Sequence, residues 1–231
     1  MSVETAMIMG AGRGNRLRPL TDRIPKPLVR VAGRPLVDHH LERLVAAGVR
    51  RVVVNLHHLG EQLRAHLLAV APPSLDLRFS EERELLETAG GIHAALPLLG
   101  DAPFMVVNGD VFCDFDLVRL RDGPGDALAH MVMVPAPAWV TRGDFDLAHE
   151  PVATDARAPL ALGDAARLTY AGIGVYHPDL FADMTPGPLP LRPLMDAAIA
   201  AGRMTGEVHR GIWEDIGTLE RLEQARARYG A

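Results

Sequence analysis

The chain is almost devoid of lysine: of its 24 Lys and Arg residues, Lys26 alone is not arginine. Cysteine is equally scarce. With only Cys113, an internal disulfide and a Cys-based zinc cluster are both excluded. Positive charge is not in excess either. A formal net charge of −5 excludes a general nucleic-acid surface, so any polyanion site must be a local concentration of cations. No apolar run approaches the ~20 residues of a membrane span, and residues 1–5 lack the basic and apolar regions of a secretory leader. No membrane association and a cytoplasmic location are therefore expected. Repeats, heptads and low-complexity tails are also missing. What is present is ordinary: 231 residues, 48% hydrophobic and 23% charged, enough for a full core.

Short β-like apolar runs alternate with helical patterns through the first half. Residues 6–9 read as a buried strand entering a glycine-rich loop. Residues 35–47 place Leu36, His40, Leu44 and Ala47 on one helical side and stop at Gly48. Residues 51–56 are β-branched, 61–71 form a helix ended by Pro72-Pro73, and 75–79 alternate as a strand. A helix follows at 91–99, with apolar strands at 104–108 and 128–134. This alternation predicts an α/β fold, a mostly parallel central sheet flanked by helices. The second half is less regular. Residues 135–159 are rich in Pro, Asp and Ala and read as a long excursion, a small irregular subregion. Residues 167–170 and 173–176 suggest two short strands around Ala171-Gly172. Residues 194–201 suggest a helix and 204–209 a strand. Residues 219–229 form a closing helix with Thr218 as its N-cap.

The loop after the first strand, Gly10-Ala11-Gly12-Arg13-Gly14-Asn15-Arg16, can turn tightly and bring backbone N–H groups against phosphate oxygens. Arg13, Arg16, Arg18 and then Lys26 concentrate cations on an otherwise acidic protein. Lysine is a compact point charge suited to a phosphate oxygen, whereas arginine is a broad planar fork. Pro25 and Pro27 stiffen the backbone on either side of it. A dinucleotide fingerprint would need its third glycine one position later, and Pro19, Pro25 and Pro27 deny the helix that should follow. A Walker A glycine-lysine-serine/threonine is absent. The loop reads as a phosphate loop of another kind.

From Met9 to Leu28 the chain resembles the signature of sugar-1-phosphate nucleotidyltransferases: a small-residue loop, then Arg16-Leu17-Arg18-Pro19-Leu20-Thr21, then Pro25-Lys26-Pro27-Leu28. It is more narrowly similar to the bacterial N-acetylmuramate-1-phosphate uridylyltransferases of cell-wall (peptidoglycan) recycling. That likeness rests on chain length, Glu87-Thr88-Ala89-Gly90-Gly91, Asn108-Gly109-Asp110, Gly143-Asp144-Phe145 and Trp213-Glu214-Asp215-Ile216-Gly217-Thr218. The resemblance implies a single Rossmann-like nucleotidyltransferase domain over residues 1–231. Residues 1–134 would be its nucleotide-binding half, and 135–231 would hold the sugar and a second metal aspartate. The implied partners are a nucleoside triphosphate, expected to be UTP, and a sugar 1-phosphate, expected to be N-acetylmuramate 1-phosphate. One helix follows the Trp213 motif, so no C-terminal β-helix or acyltransferase domain is expected, and the expected state is a monomer or weak homodimer.

Asp110 stands where an apolar strand ends, a favoured place for ligands in open α/β sheets. Asp215 lies in a second motif far along the chain. Two carboxylates from distant segments suit Mg²⁺, which prefers oxygen ligands, and the resemblance implies that both hold this ion. The plainer readings are a turn aspartate and a helix-capping acid. Asp114 and Asp116 read as loop or capping acids. Glu87, Thr88 and Gly91 open a helix whose N–H groups suit a base edge or ribose; the plainer reading makes Thr88 an N-cap. By resemblance, nucleotide contacts fall on Gly10, Ala11, Gly12, Gly14, Arg16, Lys26, Glu87, Thr88 and Gly91. Sugar-phosphate contacts fall on Asn108, Gly109, Asp144 and Gly172. Many members of the family hold the sugar phosphate with a second lysine. Here the corresponding region offers His149-Glu150-Pro151, with Arg142 and Arg157 as cations. The pairs His39-His40 and His57-His58 point about 100° apart on a helix and make poor zinc sites.

The expected chemistry is nucleotidyl transfer. A sugar-phosphate oxygen attacks the α-phosphorus of the triphosphate and pyrophosphate leaves. No general base is needed, so catalysis is positioning and charge neutralisation by Arg16, Lys26 and Asp110 with its Mg²⁺. The alternatives are a mannose-1-phosphate guanylyltransferase, a glucose-1-phosphate thymidylyl- or uridylyltransferase, or a catalytically silent nucleotide-sensing domain. An NAD-dependent oxidoreductase is disfavoured by the glycine spacing.

Overall fold

Successive valines of the segment Arg51–Leu56 point to opposite faces of a sheet, and both faces are covered. Val52 and Val54 join one core cluster, and Val53 joins another. Burial on both faces is what a parallel strand requires, and it explains the uninterrupted β-branched run. The computed structural model describes residues 2–148, 157–163 and 166–230. Its first half runs β1 (Thr5–Met9), β2 (Arg30–Val31), β3 (Arg34–Pro35), α1 (Leu36–Ala46), β4 (Arg51–Leu56), α2 (Gly60–Val70), β5 (Asp76–Glu81), α3 (Glu87–Leu99), β6 (Phe104–Asn108) and β7 (Val111–Cys113). The rest runs β8 (Ala129–Pro135), β9 (Asp146–Leu147), β10 (Ala158–Ala161), β11 (Leu168–Tyr176), α4 (Arg192–Ala200), β12 (Met204–Val208), β13 (Trp213–Asp215) and α5 (Leu219–Tyr229).

One sheet of nine strands, in the order β5-β4-β1-β6-β11-β8-β12-β10-β9, runs through the molecule. Only β11 and β10 run against the other strands, so the sheet is mostly parallel. Leu41 and Leu44 of α1 and Leu63 and Leu67 of α2 cover one face. Ile92 and Ala95 of α3 and Met195 and Ile199 of α4 cover the other. A third cluster gathers Leu17, Val29, Leu36 and Ile216 beneath Leu222 of α5. No helix among the described residues is long and apolar enough to cross a membrane.

Besides the excursion of residues 135–159, which contributes β9 and the start of β10 to the sheet, three local features differ from the sequence reading. The two short strands around Ala171-Gly172 form a single strand, β11, whose register against β8 shifts between Tyr170 and Gly174. Gly172, at φ +75°, takes the left-handed residue this irregularity requires. The second feature is α3, which begins at Glu87 rather than Gly91; Glu87 itself has φ +59°, and no side chain caps the start. Thr88 is therefore inside the first turn and is not an N-cap. The third is a two-stranded ladder, β7–β13, which pairs Val111 with Asp215 and Cys113 with Trp213. Elsewhere local chemistry acts as expected. Thr218 Oγ1 accepts from Arg221 N at 3.2 Å, and Asp116 caps a short turn through Val118 N at 3.0 Å.

Candidate functional site

The C-terminal ends of β1, β4 and β6 open into a cleft of about 600 Å³. This is where an open α/β sheet places its ligands. Gly10, Ala11, Gly12, Gly14 and Arg16 line it from the loop after β1. Lys26 and Pro27 line it from the turn that follows, and Glu87 and Thr88 from the start of α3. Asn108, Gly109 and Asp110 line it beyond β6, and Gly217 closes it from the segment after β13. The prolines between β1 and β2 permit only single 3₁₀ turns, at Asn15–Leu17, Leu20–Asp22 and Lys26–Leu28. This stretch therefore folds back over the strand ends and does not continue as a helix.

The loop is held rigidly. Gly14 has φ +61°, its carbonyl accepts from Thr21 Oγ1 at 2.9 Å, and a Cβ on it would meet Thr21 Cγ2 at 2.8 Å. Behind the loop runs a buried polar relay. Gly10 N donates to Asn55 Oδ1 (2.7 Å), Asn55 Nδ2 donates to Glu82 Oε1 (2.7 Å), and Leu86 N donates to Glu82 Oε2 (3.1 Å). The relay ties β1, β4, β5 and the start of α3 into one unit. Gly91 makes room for it: a Cβ there would lie 2.8 Å from Glu82 Oε1 and 3.0 Å from Asn55 Nδ2.

The charged groups converge from opposite ends of the sequence. Lys26 Nζ is paired with Asp110 Oδ2, and the lysine is the more buried partner. Ile216 N donates to Asp110 O at 2.9 Å, so the β7–β13 ladder brings Asp215 beside Asp110. Asp215 Oδ2 accepts from Arg221 Nη1 at 2.6 Å. Asp215 Oδ1 lies 3.0 Å, and Arg16 Nη2 3.1 Å, from the point where a Cβ of Gly217 would stand. Side-chain ends of Arg16, Asp215 and Arg221 thus gather around the open side of Gly217. His40, within electrostatic reach of Asp110, is buried, and among the described residues neither of its ring nitrogens has a hydrogen-bond partner. Burial, then the Arg43 guanidinium, push it down to about 3.

The model of the nucleotidyl transferase family matches residues 5–128, more than half of the chain. The chain belongs to the nucleotidyl transferase family. Among curated proteins, the N-acetylmuramate alpha-1-phosphate uridylyltransferase of Neisseria meningitidis serogroup B is 40% identical, over 98% of this chain and 98% of its own. That of Caulobacter vibrioides is 36% identical over 96% of each. The mannose-1-phosphate guanyltransferase of Gibberella zeae is 42% identical, but over 52% of this chain and 35% of its own. Among solved structures, UDP-glucose pyrophosphorylase from Acinetobacter baumannii has a TM-score of 0.81 at 19% identity, covering 99% of this chain and 93% of its own. A UDP-glucose pyrophosphorylase complexed with UDP-glucose has a TM-score of 0.83 at 16% identity, covering 98% of each chain.

In this nucleotidyl transferase the expected nucleotide residues of the loop, Lys26, Glu87 and Thr88 share the cleft with Asn108, Gly109 and Asp110. Gly91 stands behind it, against the relay. Asp144, Gly172 and Asp215 are outside its lining, Asp215 standing two residues before Gly217, which is within it. Asp144 Oδ2 accepts from Tyr170 N at 3.0 Å, tying the excursion to β11. The space over Gly172 is filled by the Asn108 side chain, 2.7 Å from where its Cβ would be. Arg142 and Arg157 donate to the carbonyls of Gly163 and Gly123, so both serve the excursion. His149, Glu150 and Pro151 lie outside the described residues.

Three residues were missed in the sequence: Asn55, Glu82 and Arg221. The amide inside an apolar strand was the visible signal for Asn55. Nothing local distinguishes Glu82 or Arg221 from surface charges. Among the described residues one further group of potential metal donors, Cys113, Asp114 and His209, gathers within 4.8 Å. His209 Nε2 and Asp114 Oδ1 satisfy each other at 2.8 Å, and burial pushes the Cys113 thiol up to about 11. The trio is a clasp between β7 and the β12–β13 connection.

Proposed function

We propose that the cleft binds UTP and N-acetylmuramate 1-phosphate and transfers the uridylyl group to the sugar phosphate, releasing pyrophosphate. The observation that carries this reading is the convergence of Arg16, Lys26 and Asp110 on a cleft floored by glycine-loop backbone, with the β7–β13 ladder setting Asp215 beside Asp110. The choice of base and sugar is supported by the two uridylyltransferase relatives, which match along nearly their whole length, whereas the guanyltransferase relative matches about a third of its own.

The attacking sugar phosphate is already an anionic nucleophile, so the protein's task is orientation and charge neutralisation. Loop N–H groups at Gly10 to Gly14 receive phosphate oxygens. Arg16 and Lys26 hold the β- and γ-phosphates and stabilise the charge that develops on departing pyrophosphate. The N-terminal end of α3, with Thr88, takes the base or ribose. Asn108 and Gly109 face the sugar phosphate. Asp110 and Asp215 offer hard oxygen donors on partly exposed side chains, a donor set that fits Mg²⁺. These two residues would hold the ion, which when bound supplies neutralisation of phosphate charge.

The test is pyrophosphate release with each of four nucleoside triphosphates against the 1-phosphates of N-acetylmuramate, glucose, mannose and N-acetylglucosamine. UTP with N-acetylmuramate 1-phosphate should give the highest kcat/KM. A preference for GTP with mannose 1-phosphate would replace the substrate assignment. No release with any pair would leave a nucleotide-sensing domain.

A further inference from the structure

Asp215 does not stand alone. Its Oδ2 is bound by Arg221 Nη1 at 2.6 Å, and Arg221 is itself held on three sides. Its backbone N–H donates to Thr218 Oγ1 at 3.2 Å, at the start of α5. Its Nε lies 3.4 Å from the same hydroxyl. Its guanidinium carbon sits 5.2 Å from the ring centroid of Trp139, an indole that is 52% exposed. The guanidinium side chain is only 12% exposed, an uncommon degree of burial for arginine. The other oxygen of Asp215, Oδ1, lies 3.0 Å from where a Cβ of Gly217 would stand, with Arg221 Nη2 nearer to that point and Arg16 Nη2 at 3.1 Å from it; Gly217 and Arg16 line the cleft, and Asp215 stands just behind them.

We propose that Arg221 is a positioning residue for the divalent-cation site, fixing Asp215 by one carboxylate oxygen so that the other is presented to the cleft, with Trp139 packed over the guanidinium to keep it there. This rests on the reading of Asp215 as a cation ligand. A carboxylate on a short connection can rotate about its side-chain torsions. Ordering it in advance removes an entropic cost that the incoming ion would otherwise bear. Carboxylates that ligate metals are themselves commonly hydrogen-bonded in this way, and loss of the outer partner lowers metal affinity about 10- to 100-fold. The geometry gives the exposed Trp139, which the apolar cores do not use, a task of its own: its face attracts the cation and limits the directions in which Arg221 can swing.

The test is a titration of the full chain with Mn²⁺ in the presence of a non-hydrolysable UTP analogue, read by the electron paramagnetic resonance signal of free Mn²⁺. Arg221→Met should bind Mn²⁺ about 10-fold more weakly or worse, and Arg221→Lys should recover part of the loss. In turnover assays Arg221→Met should raise the Mg²⁺ concentration needed for half-maximal rate, while the rate at saturating Mg²⁺ returns toward that of wild type. A merely structural role would lower the rate without changing the cation requirement. Arg221→Gln is a second variant should the methionine perturb folding, which thermal melting would reveal. Mn²⁺ affinity within about twofold of wild type in these variants overturns the proposal. So does tighter binding, which would mean that repulsion between guanidinium and ion outweighs ordering. If wild type itself binds no Mn²⁺ with the analogue present, the cation reading of Asp110 and Asp215 falls, and this proposal with it.

Discussion

Lys26 and Asp110 form an ion pair across 84 positions of the chain, so the lone lysine meets the strand-end carboxylate directly. The contact joins a group proposed to hold triphosphate to one proposed to hold the cation. Lys26→Ala should lower turnover about 100-fold or more, the scale seen when one preorganised charge-stabilising donor is lost. The melting temperature should move by only a few degrees, because Asp110 is 29% exposed and solvent can take up its charge. Turnover within about threefold of wild type would remove Lys26 from the proposed chemistry.

The relay behind the loop makes a different demand. Asn55 and Glu82 are 2% and 6% exposed. Asn55→Leu leaves the Gly10 N–H and a Glu82 oxygen without partners, at a cost of about 2–4 kcal/mol. Chemical denaturation should show that loss, and KM for the nucleotide should rise because the loop is no longer tied to α3. Unchanged stability would mean that water replaces the amide without strain.

Two glycines of the cleft separate folding from ligand contact. A Cβ on Gly109 would stand 2.6 Å from the carbonyl oxygen of Met9, where the ends of β1 and β6 meet. A Cβ on Gly12 would meet nothing within 4 Å. Gly109→Ala should therefore lower stability by about 1–3 kcal/mol. Gly12→Ala should melt like wild type yet raise KM for UTP, because the added methyl occupies the surface that phosphate must approach. A Gly12→Ala enzyme with unaltered KM would count against phosphate binding at this loop.

Stability should fall with acid through His40. Its folded value, about 3, lies below the ordinary 6.5, so the unfolded chain takes up a proton first as pH drops. The contribution is intact above pH 6.5 and is lost progressively between 6.5 and about 3. Its slope approaches about 1.4 kcal/mol per pH unit within that window. His130, also buried and lowered, acts in the same sense. Melting measured from pH 7.5 to 4.5 should show a shallower decline in His40→Leu than in wild type, and equal slopes would refute the assignment.

Much of this was legible from residue order. The strands of the parallel half were visible because continuous β-branched runs survive burial on both faces, as Val52 to Val54 do. Lys26 was visible because a lone lysine between prolines has few other reasons to exist. The β7–β13 ladder was not, since strands of three residues are too short to display a period. Arg221 was hidden for another reason. In sequence it is one arginine among several on a charged helix, and only the fold reveals that its guanidinium turns inward to Asp215. The apolar stretch 91–99 places the start of α3 too late, whereas the Glu87-Thr88 motif marks it; the left-handed backbone of Glu87 is a feature its residue type does not announce.

The ladder also orders events in time. Asp110 emerges from the ribosome with the first half of the sheet, but Asp215 waits for β13, made long afterwards. Contacts so distant in sequence close late, after local structure has formed. During synthesis the loop and Lys26 can be in place while Asp215 is still missing, so on the proposed function a nascent chain holds nucleotide before it can turn it over.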